Sequence, residues 1–243
     1  SALSPFQQMH SWPVQRGFDR YFGFLGPFTN LHMPNELMED NHRVEIDRYP
    51  DGYYFTDDAT DRAIRMIREQ KAANPQQPFF LYFAHGAPHA PLHAKSSDIK
   101  KYRGVFDTGW DRIREDRYRR QLELGIIPDG TELSPRNSER NHDVGPWADL
   151  SEREQTLYAR YQELFAGMVD NIDQNFGRLM QVLEELDQRD NTIVVFASDN
   201  GTESSGGQGT SEYLTLFGRV FGSDTRKTLS AEFERSYANM ELL

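Results

Sequence analysis

A chain of 243 residues is long enough for one large α/β domain with a real core, and 12% aromatic residues argue against disorder despite 27% charged residues. A formal charge of −11 excludes nucleic acid as the expected partner, because phosphate binding needs a basic face, although a local cation or lysine can still turn a cleft toward a small anion. Cysteine is absent, which excludes disulfides, thiolate metal sites and cysteine nucleophiles, and no run of about 18 apolar residues is present to span a membrane.

Ser1 to Gly52 is rich in aromatics, Pro, Asn and His and has little periodicity. It reads as loops with short strands around Phe18–Leu25. Thr56 then reads as an N-cap, with Asp57, Asp58 and Asp61 placed where a helix dipole favours acids. A helix is expected from Asp57 to Lys71, with Ala59, Ala63, Ile64 and Ile67 on one face. Asn74-Pro75 ends it. The apolar run Pro78 to Ala84 suits a strand buried on both faces, and His85-Gly86-Ala87-Pro88-His89-Ala90-Pro91 is too broken by Pro and Gly to be regular.

Asp98 to Pro146 is charged and most helical between Gly109 and Gly125. Ser151 with Glu154 forms a capping box for a helix that extends from Glu152 to Asp187. Its apolar stripe is Met168, Ile172, Leu179, Val182, Leu183 and Leu186. Asn191 to Ala197 is the second expected buried strand. It ends in Ser198-Asp199-Asn200-Gly201, and a Gly/Ser-rich loop and one weaker amphipathic stretch follow. Strand, long helix, strand points to α/β architecture with a largely parallel sheet flanked by helices.

In such sheets ligands bind beyond the carboxyl ends of the strands. One strand would deliver His85 and His89, the other Asp199 and Asn200. Carboxylate and amide oxygens side by side suit a hard cation such as Ca²⁺ or Mg²⁺, while the plain alternative for Asp-Asn-Gly is a turn. His89 is either a loop histidine held between prolines or a donor to an anionic oxygen or leaving group, since imidazole titrates near neutrality. His85 and His93 lie near it, but no zinc pattern such as HExxH accompanies them.

Seven segments taken in order resemble a bacterial arylsulfatase of the alkaline-phosphatase-like superfamily. They are Arg16 to Phe24, Phe55 to Asp61, Pro78 to Pro91, Gly109 to Arg114, Leu124 to Pro128, Leu157 to Arg160, and Ser198 to Gly201. The resemblance implies hydrolysis of a small-molecule sulfate ester to sulfate and an alcohol or phenol. It implies a divalent cation, usually calcium, held in part by Asp199 and Asn200, with His89 contacting the sulfate ester. The family's nucleophile is a formylglycine hydrate made from Cys or Ser in a Cys/Ser-x-Pro-x-Arg motif. Ser11-Trp12-Pro13-Val14-Gln15 has Gln where that motif has Arg and is set aside, and Asp57-Asp58 is set aside as a metal pair because its surroundings read as a helix start. Lys227 does not match the family's late lysine. The whole of 1–243 is accordingly expected to be part of a single sulfatase catalytic domain without its nucleophile strand and C-terminal part, and inactive by itself. A phosphate or phosphonate ester hydrolase of the same superfamily, or a non-catalytic binding module derived from it, are the competing readings.

Overall fold

A computed structural model of the chain describes residues 9–26, 29–136 and 144–200. Its ordered elements are three short strands, β1 (Phe22–Phe24), β2 (Leu37–Glu39) and β3 (His42–Arg43), and four helices, α1 (Phe55–Ala73), α2 (Ser96–Ile99), α3 (Gly109–Glu123) and α4 (Glu152–Glu185). Short 3₁₀ turns punctuate the loops.

The strands form one antiparallel sheet in the order β1-β2-β3, with Phe22 opposite Glu39 and Phe24 opposite Leu37. The rings of Phe22 and Phe24 lie 6.1 and 5.1 Å from that of Phe55, which joins the sheet to the start of α1.

α1 starts two residues earlier than expected. Tyr54, in an extended conformation, holds the N-cap position without a side-chain cap bond, whereas Thr56 lies inside the first turn and is 2% exposed. The ring of Tyr54 explains the shift. Its hydroxyl donates to the His93 carbonyl at 2.7 Å, so tertiary packing and not a local cap fixes where the helix begins. Asp57 and Asp58 do occupy the first turn. At the other end Asn74 leaves the helix ahead of Pro75, as the residue before proline tends to.

α4 has 34 residues, about 51 Å at 1.5 Å per residue. Its N-terminus carries the expected capping box, Glu154 N donating to Ser151 Oγ and Ser151 N to Glu154 Oε2. The anticipated stripe faces inward along two clusters. Met168 and Ile172 join Leu31, Leu37, Tyr54 and Phe55, while Leu179 and Val182 pack on Ala63 and Ile67 of α1. Each such aliphatic side chain contributes about 1.5–3 kcal/mol by leaving water. α3 buries little beyond Gly109 and is held through aromatic contacts of Trp110 with Trp147 and Tyr158. It ends in a Schellman pair, Ile126 N to Gln121 O and Gly125 N to Leu122 O, both 2.9 Å.

The two expected buried strands are not present as strands. Residues 79–84 and 192–198 run without ladder bonds, and Phe80, Tyr82, Ile193, Val195 and Phe196 are 69–93% exposed. Asn191 itself belongs to the turn Arg189–Asn191. A strand is defined by its neighbours, and among the described residues nothing pairs with these backbones, so their apolar composition does not bring burial. The only sheet among the described residues is the antiparallel one, not a parallel sheet.

Candidate functional site

Between the extended segment 79–84 and α2 lies a loop, residues 85–95, that carries three histidines. It has almost no regular structure, and its fixity comes from burial. Ala87, Ala90, Leu92 and Ala94 are all under 9% exposed, and Ala87, Leu92 and Ala94 belong to the cluster around Met168. His93 is partly buried. Its Nδ1 accepts from Leu31 N at 3.4 Å and its carbonyl accepts from Tyr54, so it is a structural member of the core and not a ligand. Burial, aided by the nearby His32, pushes its pKa down to about 3 and keeps it neutral. His85 is partly buried, its ring 4.6 Å edge-on to Phe83, and burial lowers its pKa too.

His89 differs from both, being exposed at the turn of the loop. Its Nδ1 lies 2.6 Å from Ala90 O. A carbonyl can only accept, so the neutral ring carries its proton on Nδ1 and its lone pair on Nε2.

A cavity of about 780 Å³ opens beside this loop, and its lining brings together what the sequence separates. His85 and His89 line it from the histidine loop, and Ser198, Asp199 and Asn200 from the end of the second extended segment. The two groups are 110 residues apart in sequence, His89 to Asp199. Ser198 Oγ donates to Asn200 O at 2.5 Å, tightening the turn that carries both candidate donors.

The cavity also has members that sequence reasoning missed. Arg16 and Arg20 contribute guanidinium groups from the N-terminal segment, and Arg62 does so from α1. Arg62 is engaged, with Glu39 at 2.6 Å, Asp58 at 3.4 Å and its guanidinium 4.1 Å above the Phe22 ring. Only the cluster of Arg, Phe and Gly in Arg16–Phe24 hinted at this wall. Ser11 lines the cavity as well, so the motif-like run Ser11–Gln15 lies near the histidine loop in space. The aspartate pair Asp57-Asp58 sits in the first turn of α1 with both carboxylates bonded to side chains of the protein. That agrees with the helix-start reading.

The oxygens of Asp199 and Asn200 are of the type that holds Ca²⁺ or Mg²⁺, but two donors fall short of the six to eight that calcium takes. No group of three or more His, Asp or Glu that could hold a metal occurs among the described residues. The pair therefore fits as part of a coordination shell and not as a whole one. Lys227 and the loop after Gly201 lie outside the described residues. No helix among the described residues is long and apolar enough to cross a membrane.

The chain is similar to known proteins over most of its length. The sulfatase family model matches residues 3–224. An arylsulfatase of Klebsiella aerogenes is 29% identical over 242 residues, covering 94% of this chain and 50% of its own length. An uncharacterised sulfatase of Schizosaccharomyces pombe is 32% identical over 206 residues, covering 80% of this chain and 36% of its own. The human N-acetylgalactosamine-6-sulfatase is 24% identical over 199 residues, which is 78% of this chain and 27% of that protein. The chain thus spans half or less of the length of these relatives. With the match running from residue 3 to residue 224, the chain belongs to the sulfatase family and with it to the α/β, alkaline-phosphatase-like class of folds.

Proposed function

We propose that this chain is a segment of an enzyme that hydrolyses aryl-type sulfate esters to sulfate and a phenol or alcohol. The observation that carries the reading is the shared cavity. A histidine with its lone pair on Nε2 and a carboxylate–amide pair line one cleft, although 110 residues separate them. Asp199 and Asn200 would hold a divalent cation, Ca²⁺ or alternatively Mg²⁺, together with donors from elsewhere in the enzyme. Such a cation, when bound, polarises the sulfate oxygens. His89 contacts the ester, and the ring form that also carries a proton on Nε2 gives that proton to the leaving oxygen. Arg16 adds positive charge to a protein that is otherwise strongly acidic, which favours an anionic ester in this cleft. The nucleophile implied by the family resemblance, a formylglycine hydrate, has no matching motif in Ser1–Leu243. By itself this chain is expected to be inactive.

The test is made in the full-length enzyme with 4-nitrophenyl sulfate and 4-nitrophenyl phosphate side by side. Asp199→Ala is expected to lower metal content and turnover together, and His89→Ala to slow turnover with metal content unchanged. Full turnover by Asp199→Ala without added metal would remove the metal assignment. Faster release of phosphate than of sulfate would move the protein to the phosphate and phosphonate ester hydrolases of the superfamily.

A further inference from the structure

We propose that Asp57, paired with Lys95, is a positioning residue for His89, locking the histidine loop onto α1 and α4. The carboxylate of Asp57 is the meeting point of three separate pieces of chain. Its Oδ2 accepts from Lys95 Nζ at 2.7 Å, at the end of the histidine loop. Its Oδ1 accepts from Asn171 Nδ2 at 3.0 Å and Asn175 Nδ2 at 2.8 Å, both from the middle of α4 and both 1% exposed. Charge-assisted bonds of this kind are roughly twice as strong as neutral ones, and the three donors come from two elements, the histidine loop and α4.

The neighbouring Asp58 does something else, bonding Tyr53 Oη at 2.8 Å and Arg62 within its own helix. Only Asp57 reaches the loop. Burial opposes its ionisation, yet the bonds from Asn175, Lys95 and Asn171 outweigh it and hold the carboxyl below its usual range. A charged carboxylate is therefore what the site is built around.

The link from Lys95 to His89 is short and stiff. Of the five residues between them, Ala90, Pro91, Leu92 and Ala94 are buried, with Ala90 at 0% exposure, and His93 is partly buried. A segment packed this closely transmits a displacement at one end to the other, because interiors yield little. Residues 85–94 have no helix or strand bonds of their own, so side-chain anchors set their path. Tyr54 and Leu31 hold His93, and Asp57 holds Lys95.

The inference rests on the reading of His89 given above, but its test does not use ester turnover, so the two can fail separately. In the full chain, alanine methyl groups and histidine rings are followed by NMR. Ala90 and Ala94 report on the loop, and Ala63 of α1 and Ala159 of α4, which are also buried, report on the rest of the fold. Lys95→Met is expected to abolish the wild-type His89 ring signals and shift Ala90 and Ala94, with Ala63 and Ala159 unmoved and Lys95→Arg restoring the pattern. Unchanged His89 ring signals in a folded Lys95→Met chain overturn the proposal. If Lys95→Met unfolds the chain, Asp57→Asn keeps an acceptor for the asparagines and removes the charge that Lys95 needs. Changes confined to the loop in that variant support the proposal, and a uniform change in all reporters reduces Asp57 to a structural role.

Discussion

Replacing Gly109 by alanine tests how α3 is attached to the rest of the protein. The backbone there has φ +80°, and a Cβ built on it would sit 2.2 Å from Cγ of Trp147. The left-handed conformation costs an alanine about 1–2 kcal/mol relative to glycine. The clash is separate. Trp147 cannot swing aside cheaply, since its backbone N donates to Asp111 Oδ2 at 2.8 Å and its ring stands 4.8 Å edge-on to Trp110. Forcing a methyl into such a contact costs about 1–3 kcal/mol more. The expected total is about 2–5 kcal/mol. Gly125→Ala is the control, for it has φ +65° and nothing within 4 Å of its would-be Cβ, so it should show the backbone cost alone. Urea unfolding followed by tryptophan fluorescence reads both variants, because two of the three tryptophans of the chain are Trp110 and Trp147. If Gly109→Ala loses no more stability than Gly125→Ala, Trp147 does not clamp α3 and the reasoning fails.

The partly buried His93 makes stability fall in acid. Its folded pKa of about 3 lies below the ordinary 6.5, so the unfolded chain takes up the proton first and the contribution is lost as pH drops from 6.5 toward 3. Between pH 6.5 and 4.5 the loss is about 2 kcal/mol, less than the full 1.36 kcal/mol per unit because half of the unfolded histidines are already protonated at pH 6.5. Comparing urea midpoints of wild type and His93→Asn across that range should show a flatter profile in the variant, and parallel profiles would refute it. The exposed extended segments should drive self-association, as unpaired apolar edges do. Ile193→Lys with Val195→Glu should therefore raise the concentration at which oligomers appear in sedimentation velocity while leaving the melting temperature in place. Oligomers forming at the same concentration would show that another surface is responsible.

What could be read from sequence divides by range. The α4 capping box and stripe are local facts about spacing, and they appear where Ser151, Glu154, Met168 and Val182 put them. The start of α1 was misplaced because Thr56 satisfies a local rule while Tyr54 answers to His93, 39 residues away. The runs 78–84 and 191–197 have strand composition, but a strand also needs a partner, and composition says nothing about where a partner is. At the candidate site the residue types of His89, Asp199 and Asn200 were legible, and so was the possibility of their meeting. The arginine wall was not, because Arg16, Arg20 and Arg62 look in sequence like any solvated cations. The role of Asp57 was hidden for a similar reason. Its partners Asn171 and Asn175 stand more than a hundred residues away on a helix whose apolar stripe draws attention to other positions.

These contrasts bear on how the two halves of the site are held. The half with His89 is backed by packed helices, with Ala90 enclosed, His93 bonded to Leu31 and Tyr54, and Lys95 tied through Asp57 to α4. The half with Asp199 and Asn200 hangs from an extended segment whose side chains Ile193, Val195 and Phe196 are mostly exposed, with the Phe196 ring 5.5 Å from that of Phe176. Order at the two halves should then respond differently to what binds. A surface that pairs with 192–198 would stiffen the Asp199–Asn200 turn and sharpen its oxygen geometry, whereas His89, already fixed from within, would change little. Preorganisation of a cation site depends on holding its donors still before the ion arrives. The Asp199–Asn200 half of the cavity is thus the part whose order depends on strand pairing, and the histidine half is the part that folding of α1 and α4 already secures.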